Sequence, residues 1–193
     1  MTKREIFATD DELIICTLSD EDRKDYVELH RQLNGETTLY LNPRSKDMMW
    51  EQTLNHSEGM FSVFIKKGDY CGSIELQDSD SNTPEIGIDL VENKRNRGIA
   101  PRAVRLIAKK VCEEKQIEYF LIRISSANLH SQHVFENLGA VKIGEEESSF
   151  SKFVKSFGEI AGKSEQDLAS YKYLFGEDSD EIVYQYKLNP NLL

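Results

Sequence analysis

The chain has 193 residues, of which 39% are hydrophobic and 30% charged, and its formal net charge at pH 7 is −10. This length predicts one domain over residues 1–193, and the apolar runs fall far short of the ~20 residues that a membrane-spanning helix needs. The acidic balance argues against wholesale nucleic-acid binding. Three widely spaced cysteines and the absence of a signal-peptide pattern predict reduced thiols and a cytoplasmic protein.

Periodicity and turn residues predict a mixed α/β sheet. Strands are expected at residues 12–17, 60–66, 71–76, 85–91, 118–125, 141–143 and 182–188. Helices are expected after a Ser19 cap and at residues 45–54, 101–115 and 129–138. Gly68 lies between two of the early strands and suits a hairpin, so these strands should pair antiparallel. From Glu85 onward helices alternate with strands, which makes the sheet mixed.

Residues 148–178 are too many for a plain connection and contain aromatic residues at helical spacing. We interpret this segment as a helical insertion. Such an insertion could cover a substrate or bind a partner, or it could pack on the domain's own sheet.

The most informative segment joins the strand at 85–91 to the helix at 101–115. Residues 93–110 contain seven basic side chains and no acidic one, in a protein that is acidic as a whole. Gly98 precedes the helix, and Pro101 suits its first position. Unpaired N–H groups, a positive helix dipole and nearby arginines together predict a site for a phosphate group.

This loop resembles the acetyl-CoA-binding motif of the GNAT N-acetyltransferase superfamily. Residues 128–140 resemble the Asn-x-x-Ser-x-x-x-(Phe/Tyr)-Glu-x-x-Gly segment of the ribosomal-protein-alanine acetyltransferase branch. The resemblance implies a mostly antiparallel central sheet flanked by helices. It also implies acetyl-CoA as co-substrate, an amine-bearing acceptor and no metal.

The resemblance also implies roles for individual residues. Leu90 and Val91 would present backbone groups to the pantetheine arm, which would lie beside them like an extra strand. The pyrophosphate would be surrounded by Arg95, Asn96, Arg97, Gly98, Ile99 and Ala100. Asn128 would hydrogen-bond the pantetheine, and Ser131 would lie near the thioester sulfur. Phe135 stands where many members have a tyrosine general acid, so that role would pass to Ser131, to water or to no group.

Strand alternation identifies a candidate general base. Glu85, Gly87 and Asp89 share one face of their strand, and three apolar residues share the other. Amine acetylation needs a neutral nucleophile, so a base or a chain of water molecules must remove the ammonium proton. Glu85 resembles in position the strand glutamate that acts as base in part of the superfamily. A solvated strand edge is the alternative interpretation.

The sequence therefore predicts direct acetyl transfer from acetyl-CoA to a primary amine. A protein N-terminal α-amine, which the branch resemblance favours, also has a lower pKa than a lysine side chain. A small amine such as an antibiotic or a polyamine is the alternative acceptor. A non-catalytic acyl-CoA-binding module is a further alternative, because Phe135 cannot donate a proton. A homodimer is one of the oligomeric states that the sequence allows.

Overall fold

The computed structural model describes residues 3–34, 42–148, 152 and 182–193. These residues form two compact units, Met1–Leu121 with Leu188–Leu193 and Ile122–Lys187. The single domain over residues 1–193 stays a prediction. The insertion at 148–178 lies outside the described residues, apart from Ser148 and Lys152.

The first unit is built on a sheet with the strand order β1-β2-β3-β4-β5-β6. Pairing is antiparallel from β1 to β5, whereas β5 and β6 are parallel and pair at Glu85↔Leu121. This arrangement confirms the predicted mixed α/β sheet. The strands are β1 (Ile6–Thr9), β2 (Leu13–Thr17), β3 (Met60–Ile65), β4 (Tyr70–Gln77), β5 (Glu85–Leu90) and β6 (Phe120–Ser125), the last of which crosses into the second unit.

Three long helices belong to the first unit: α1 (Arg23–Asn34), α2 (Pro43–Asn55) and α3 (Ile99–Glu114). Helix α3 packs on β1, β2 and β5, and α1 packs on β4. The apolar stripe of α3 is buried, and its members are Ile99, Ala103, Val104, Ile107, Ala108 and Val111. Trp50 of α2 is 4% exposed and packs with Leu18 and Tyr26, so it belongs to the core.

The structure differs from the predicted elements at the start of the chain and at the start of helix α3. Strand β1 was not predicted, because its four residues are too few to show a clear alternation. Helix α3 begins at Ile99, two residues before the predicted Pro101. Gly98 adopts a left-handed conformation with φ of 73° and ends the preceding loop there. Pro101 then lies inside the first turn, where its missing N–H breaks no helical hydrogen bond.

Strands β4 and β5 approach each other closely at Gly72. A Cβ atom at this position would lie 1.9 Å from the carbonyl oxygen of Asp89, so only glycine fits. Gly72 faces Leu90 in the register, Ser73 faces Asp89 and Glu75 faces Gly87. This close contact fixes the end of β5, from which the basic loop departs.

The second unit contains the rest of β6 together with α4 (Leu129–Asn137), β7 (Val141–Glu147) and β8 (Ile182–Leu188), whose last residue belongs to the first unit. Strands β7 and β8 pair antiparallel. Strand β7 extends four residues beyond the predicted range of 141–143.

Candidate active site

The loop before α3 presents a series of backbone N–H groups. Asn96 and Gly98 both have left-handed conformations, with φ of 58° and 73°. Asparagine and glycine are the residues that adopt this conformation most readily. The N–H groups of residues 96–100 have no acceptor among the described residues. With the positive end of the α3 dipole, these groups can bind an anion such as a pyrophosphate.

The basic side chains of the loop differ in what they contact. The Lys94 ammonium lies 2.9 Å from the Asp69 carboxylate. Arg102 is held by Asp10 and Glu12, at 2.5 and 2.8 Å, and also by the Asp11 carboxylate. Arg97 is exposed and forms no ion pair within the described part of the chain. Arg97 is therefore the loop cation that is most available to a bound phosphate group.

The end of β5 has an edge that does not pair with β4. The Val91 N–H donates to the Cys71 carbonyl oxygen at 3.0 Å, and the Val91 carbonyl accepts from the Lys94 N–H at 2.9 Å. Leu90 therefore forms a non-hydrogen-bonded pair with Gly72, and its N–H points away from β4. By the same alternation the N–H and C=O groups of Ile88 point to this edge.

This geometry changes the predicted pantetheine contacts. Both backbone groups of Val91 are used within the protein, so Leu90 and Ile88 offer the available edge. The Leu90 carbonyl accepts from Arg95 Nε at 3.0 Å, which leaves its N–H as the unused group. Ile88 was missed in the sequence, because the side of a strand to which an N–H points depends on the register with its neighbour.

The polar face of β5 carries the predicted base. Glu85, Gly87 and Asp89 lie on this face, as predicted, opposite Gln77, Glu75 and Ser73 of β4. The Cα of Glu85 is five strand positions from that of Leu90 and three from that of Ile88, which corresponds to ~17 Å and ~10 Å. Burial of its carboxyl group raises the pKa of Asp89, and the positive charge of Arg95 partly offsets this rise. Asp89 as a whole residue is nevertheless exposed.

An acidic cavity of about 720 Å³ lies beside the start of the loop that precedes α3. Four carboxylates and one ammonium group line it, together with neutral residues: Asp25, Glu28, Gln32, Asp69, Tyr70, Val91, Glu92, Asn93 and Lys94. Hydrogen bonds from Arg31 and Gln32 lower the pKa of Glu28 to about 2. A hydrogen bond from Lys94 lowers the pKa of Asp69. Both carboxylates are therefore ionised at neutral pH, and the cavity favours cations.

The remaining predicted site residues lie in the second unit, at the start of α4. Asn128 caps this helix, because its Oδ1 accepts the Ser131 N–H at 3.0 Å. The side-chain oxygen of Asn128 thus has a structural role, and its amide N–H groups are left for a ligand. Phe135 is 5% exposed and packs in the core. The roles of Asn128 and Ser131 stay predictions.

Two features are absent from the described part of the chain: a helix fit to cross a membrane and a cluster of metal-binding side chains. None of its helices combines the length and the apolar character that crossing a bilayer requires. Residues 3–34, 42–148 and 182–193 contain no group of three or more histidine, cysteine or acidic side chains that could hold a metal ion.

A strand edge with unused N–H groups, a left-handed turn and a helix N-terminus follow one another here, and together they suit a protein that binds an acyl-coenzyme A thioester. Residues 5–141 match the family described as acetyltransferase (GNAT) domain, and the chain belongs to this family. As a member, the protein is an acetyl-CoA-dependent N-acetyltransferase. No curated protein matches the chain.

Solved structures share the fold at low sequence identity. The spermidine N-acetyltransferase from Vibrio cholerae in complex with CoA and spermine has a TM-score of 0.64 and 13% identity, covering 94% of this chain and 98% of that chain. A point mutant of the same enzyme has a TM-score of 0.67 and 15% identity, covering 95% and 98%. Identity at this level is evidence for the fold and not for the acceptor.

Proposed function

We propose that this protein acetylates a small amine that carries more than one positive charge, such as a linear polyamine. The observation that carries the proposal is the acidic cavity beside the coenzyme loop, in which Asp25 and Glu92 form no ion pair within the described residues. The spermidine acetyltransferases that share the fold act on such amines, which supports the same acceptor class.

The proposed reaction is direct transfer. The amine loses a proton, its lone pair attacks the thioester carbonyl carbon, and a C–N bond forms. The tetrahedral intermediate then collapses with cleavage of the C–S bond, and the thiolate of CoA takes up the second proton of the amine nitrogen. The Ile88 and Leu90 N–H groups on the unpaired edge are the candidate donors to the developing oxyanion. Glu85 and its neighbours on the polar face are the candidate acceptors of the first proton.

An amine panel tests the acceptor class. We expect a linear triamine to give a higher kcat/KM than a monoamine of equal length, measured as release of free thiol from acetyl-CoA. A protein N-terminal α-amine is the second candidate, and the resemblance of residues 128–140 is the observation that favours it. Faster turnover of peptides with free N-termini than of any small polycation would contradict the proposal.

Cavity variants test where the second charge binds. Glu92→Gln and Asp25→Asn should each raise KM for the triamine roughly 3- to 10-fold, because each removes an attraction worth ~1 kcal/mol. KM for the monoamine and kcat for both amines should change little. Glu51→Gln is the matched control, since Glu51 is an exposed carboxylate of α2 outside the cavity lining.

The cytoplasmic location and the homodimer stay predictions.

A further inference from the structure

Gly87 leaves an open space on the polar face of β5. A Cβ atom built at Gly87 meets no heavy atom within 4 Å, and the residue is exposed. Gly87 is flanked on its own strand by Glu85 and Asp89, each two positions away, or ~7 Å between Cα atoms. The space therefore lies on the proposed acceptor side of the strand whose edge offers the Ile88 and Leu90 N–H groups.

Glu75 of β4 lies directly across from this space. Its register partner is Gly87 itself. Hydrogen-bonded and non-hydrogen-bonded pairs alternate along β4 and β5, and the hydrogen bond from the Val91 N–H to the Cys71 carbonyl fixes which pairs are which. Glu75 and Gly87 are therefore a hydrogen-bonded pair, with Cα atoms ~5.5 Å apart. Because Gly87 has no side chain, the exposed Glu75 carboxylate can extend over it. Glu75 is therefore the carboxylate that lies directly opposite the middle of β5.

Helix α1 places a neutral neighbour beside Glu75. His30 interacts electrostatically with Glu75, and its ring lies 4.3 Å from that of Tyr26. Burial lowers the pKa of His30, and Glu75 partly offsets this. The imidazole is therefore neutral at pH 7 and does not compete with a substrate ammonium group for the Glu75 carboxylate. Among the other titratable groups, Glu85 and Asp89 flank Gly87 on the same face of β5, and Glu58 lines a cavity together with Glu75.

We propose that Glu75 holds the acceptor ammonium group over Gly87 and takes its proton. This inference rests on the proposed function. One N–H bond of the ammonium group breaks and its proton moves to the Glu75 carboxylate, from which it passes to water. The neutral nitrogen then attacks the thioester carbon. Met60 of β3 is the register partner of Glu75 on the side of β4 that faces away from β5. Its side chain is partly buried and offers an apolar contact for the carbon chain of the amine.

Three single neutralisations on one face test the assignment. Glu75→Gln should lower kcat at pH 7 by about 100-fold, the usual effect of losing a general base. Glu85→Gln and Asp89→Asn should lower it by much less, through the loss of one nearby charge. Glu51→Gln should leave it unchanged. An equal or larger loss in Glu85→Gln than in Glu75→Gln would overturn the proposal.

The pH profile separates proton transfer from simple attraction. In the wild type kcat should fall at acid pH as the base becomes protonated, and in Glu75→Gln this limb should be absent from the residual rate. A residual rate that keeps the acid limb of the wild type would overturn the proposal. KM for acetyl-CoA should stay within about twofold of the wild-type value, because Glu75 lies outside the loop.

Gly87→Val provides a variant that should fold, because no neighbour lies within 4 Å and valine favours strands. It should abolish turnover of the amine while acetyl-CoA binding, measured by calorimetry, is retained. Full activity of Gly87→Val would overturn the proposal. If the wild type prefers peptide acceptors, the proposal of a polycationic acceptor is wrong. The role of Glu75 is then tested by measuring the same variants with the preferred peptide.

Discussion

Gly98 and Arg97 are adjacent but contribute to coenzyme binding in different ways. Gly98 allows the left-handed turn that exposes the N–H groups, with φ of 73° and open space around its α-carbon. Arg97 adds an exposed charge and no ion pair within the described residues. One residue therefore determines the shape of the loop, and the other determines its charge.

These two roles predict that one substitution changes stability and the other changes coenzyme binding. Gly98→Ala should lower the free energy of unfolding by about 1 kcal/mol, the cost of a left-handed alanine, which corresponds to ~2–4 °C in Tm. Arg97→Ala should leave Tm unchanged but raise KM for acetyl-CoA on the order of 10-fold, because a charged hydrogen bond to phosphate is lost. Thermal melting and initial rates measure both. A lower Tm for Arg97→Ala would contradict this division.

The turn between β1 and β2 is joined to helix α3 through Arg102. Three consecutive acidic residues, Asp10, Asp11 and Glu12, surround its guanidinium group. Burial raises the pKa of Asp10, but hydrogen bonds from Arg102 and from the Leu13 and Glu12 N–H groups outweigh this, and the net pKa is lowered. These contacts anchor the first turn of α3, whose N–H groups form the anion site.

The loss of this contact predicts a pH-dependent change in stability. Arg102→Ala should lower Tm at pH 7 by a few degrees at most, because its partners are largely exposed carboxylates. A lowered carboxyl pKa stabilises the fold above the unfolded-state value of about 4, and this contribution is lost as pH falls through the folded-state value. The Tm difference from the wild type should therefore shrink at low pH.

Arg105→Ala is the control for this prediction. Arg105 lies one turn further along α3, is exposed, and forms no ion pair in the described ranges. Its replacement should change Tm by less than about 1 °C at any pH. A Tm difference for Arg102→Ala that grows as the pH is lowered would show that the contact is not ionic in origin.

Local patterns predicted the elements and the loop, whereas register determined which residues meet. Glu85 and Gly98 could be placed from strand alternation and from a glycine before an amphipathic helix. Glu75 could not be identified, because its position across from Gly87 depends on the pairing of β4 with β5, which the close approach at Gly72 fixes. The use of both Val91 backbone groups likewise depends on the turn at Glu92–Lys94.

The charge of the whole molecule is unevenly distributed. Seven of the 24 basic residues lie in residues 93–110, so the other 17 are set against all 34 acidic residues. The loop region can attract an anionic coenzyme, while the rest of the protein attracts cations. The positive field of the loop region therefore attracts acetyl-CoA, and the negative field of the rest of the protein attracts the proposed amine. Salt screens both fields.

Salt should weaken the triamine reaction more than the monoamine reaction. Between about 0.02 M and about 0.5 M salt, where the Debye length falls from roughly 20 Å to roughly 4 Å, kcat/KM for the triamine should drop on the order of 10-fold more than that for the monoamine. The ratio of the two values cancels the effect of salt on acetyl-CoA, because both reactions use it. A ratio that is constant across this range would mean that the acidic surface has no part in selecting the acceptor.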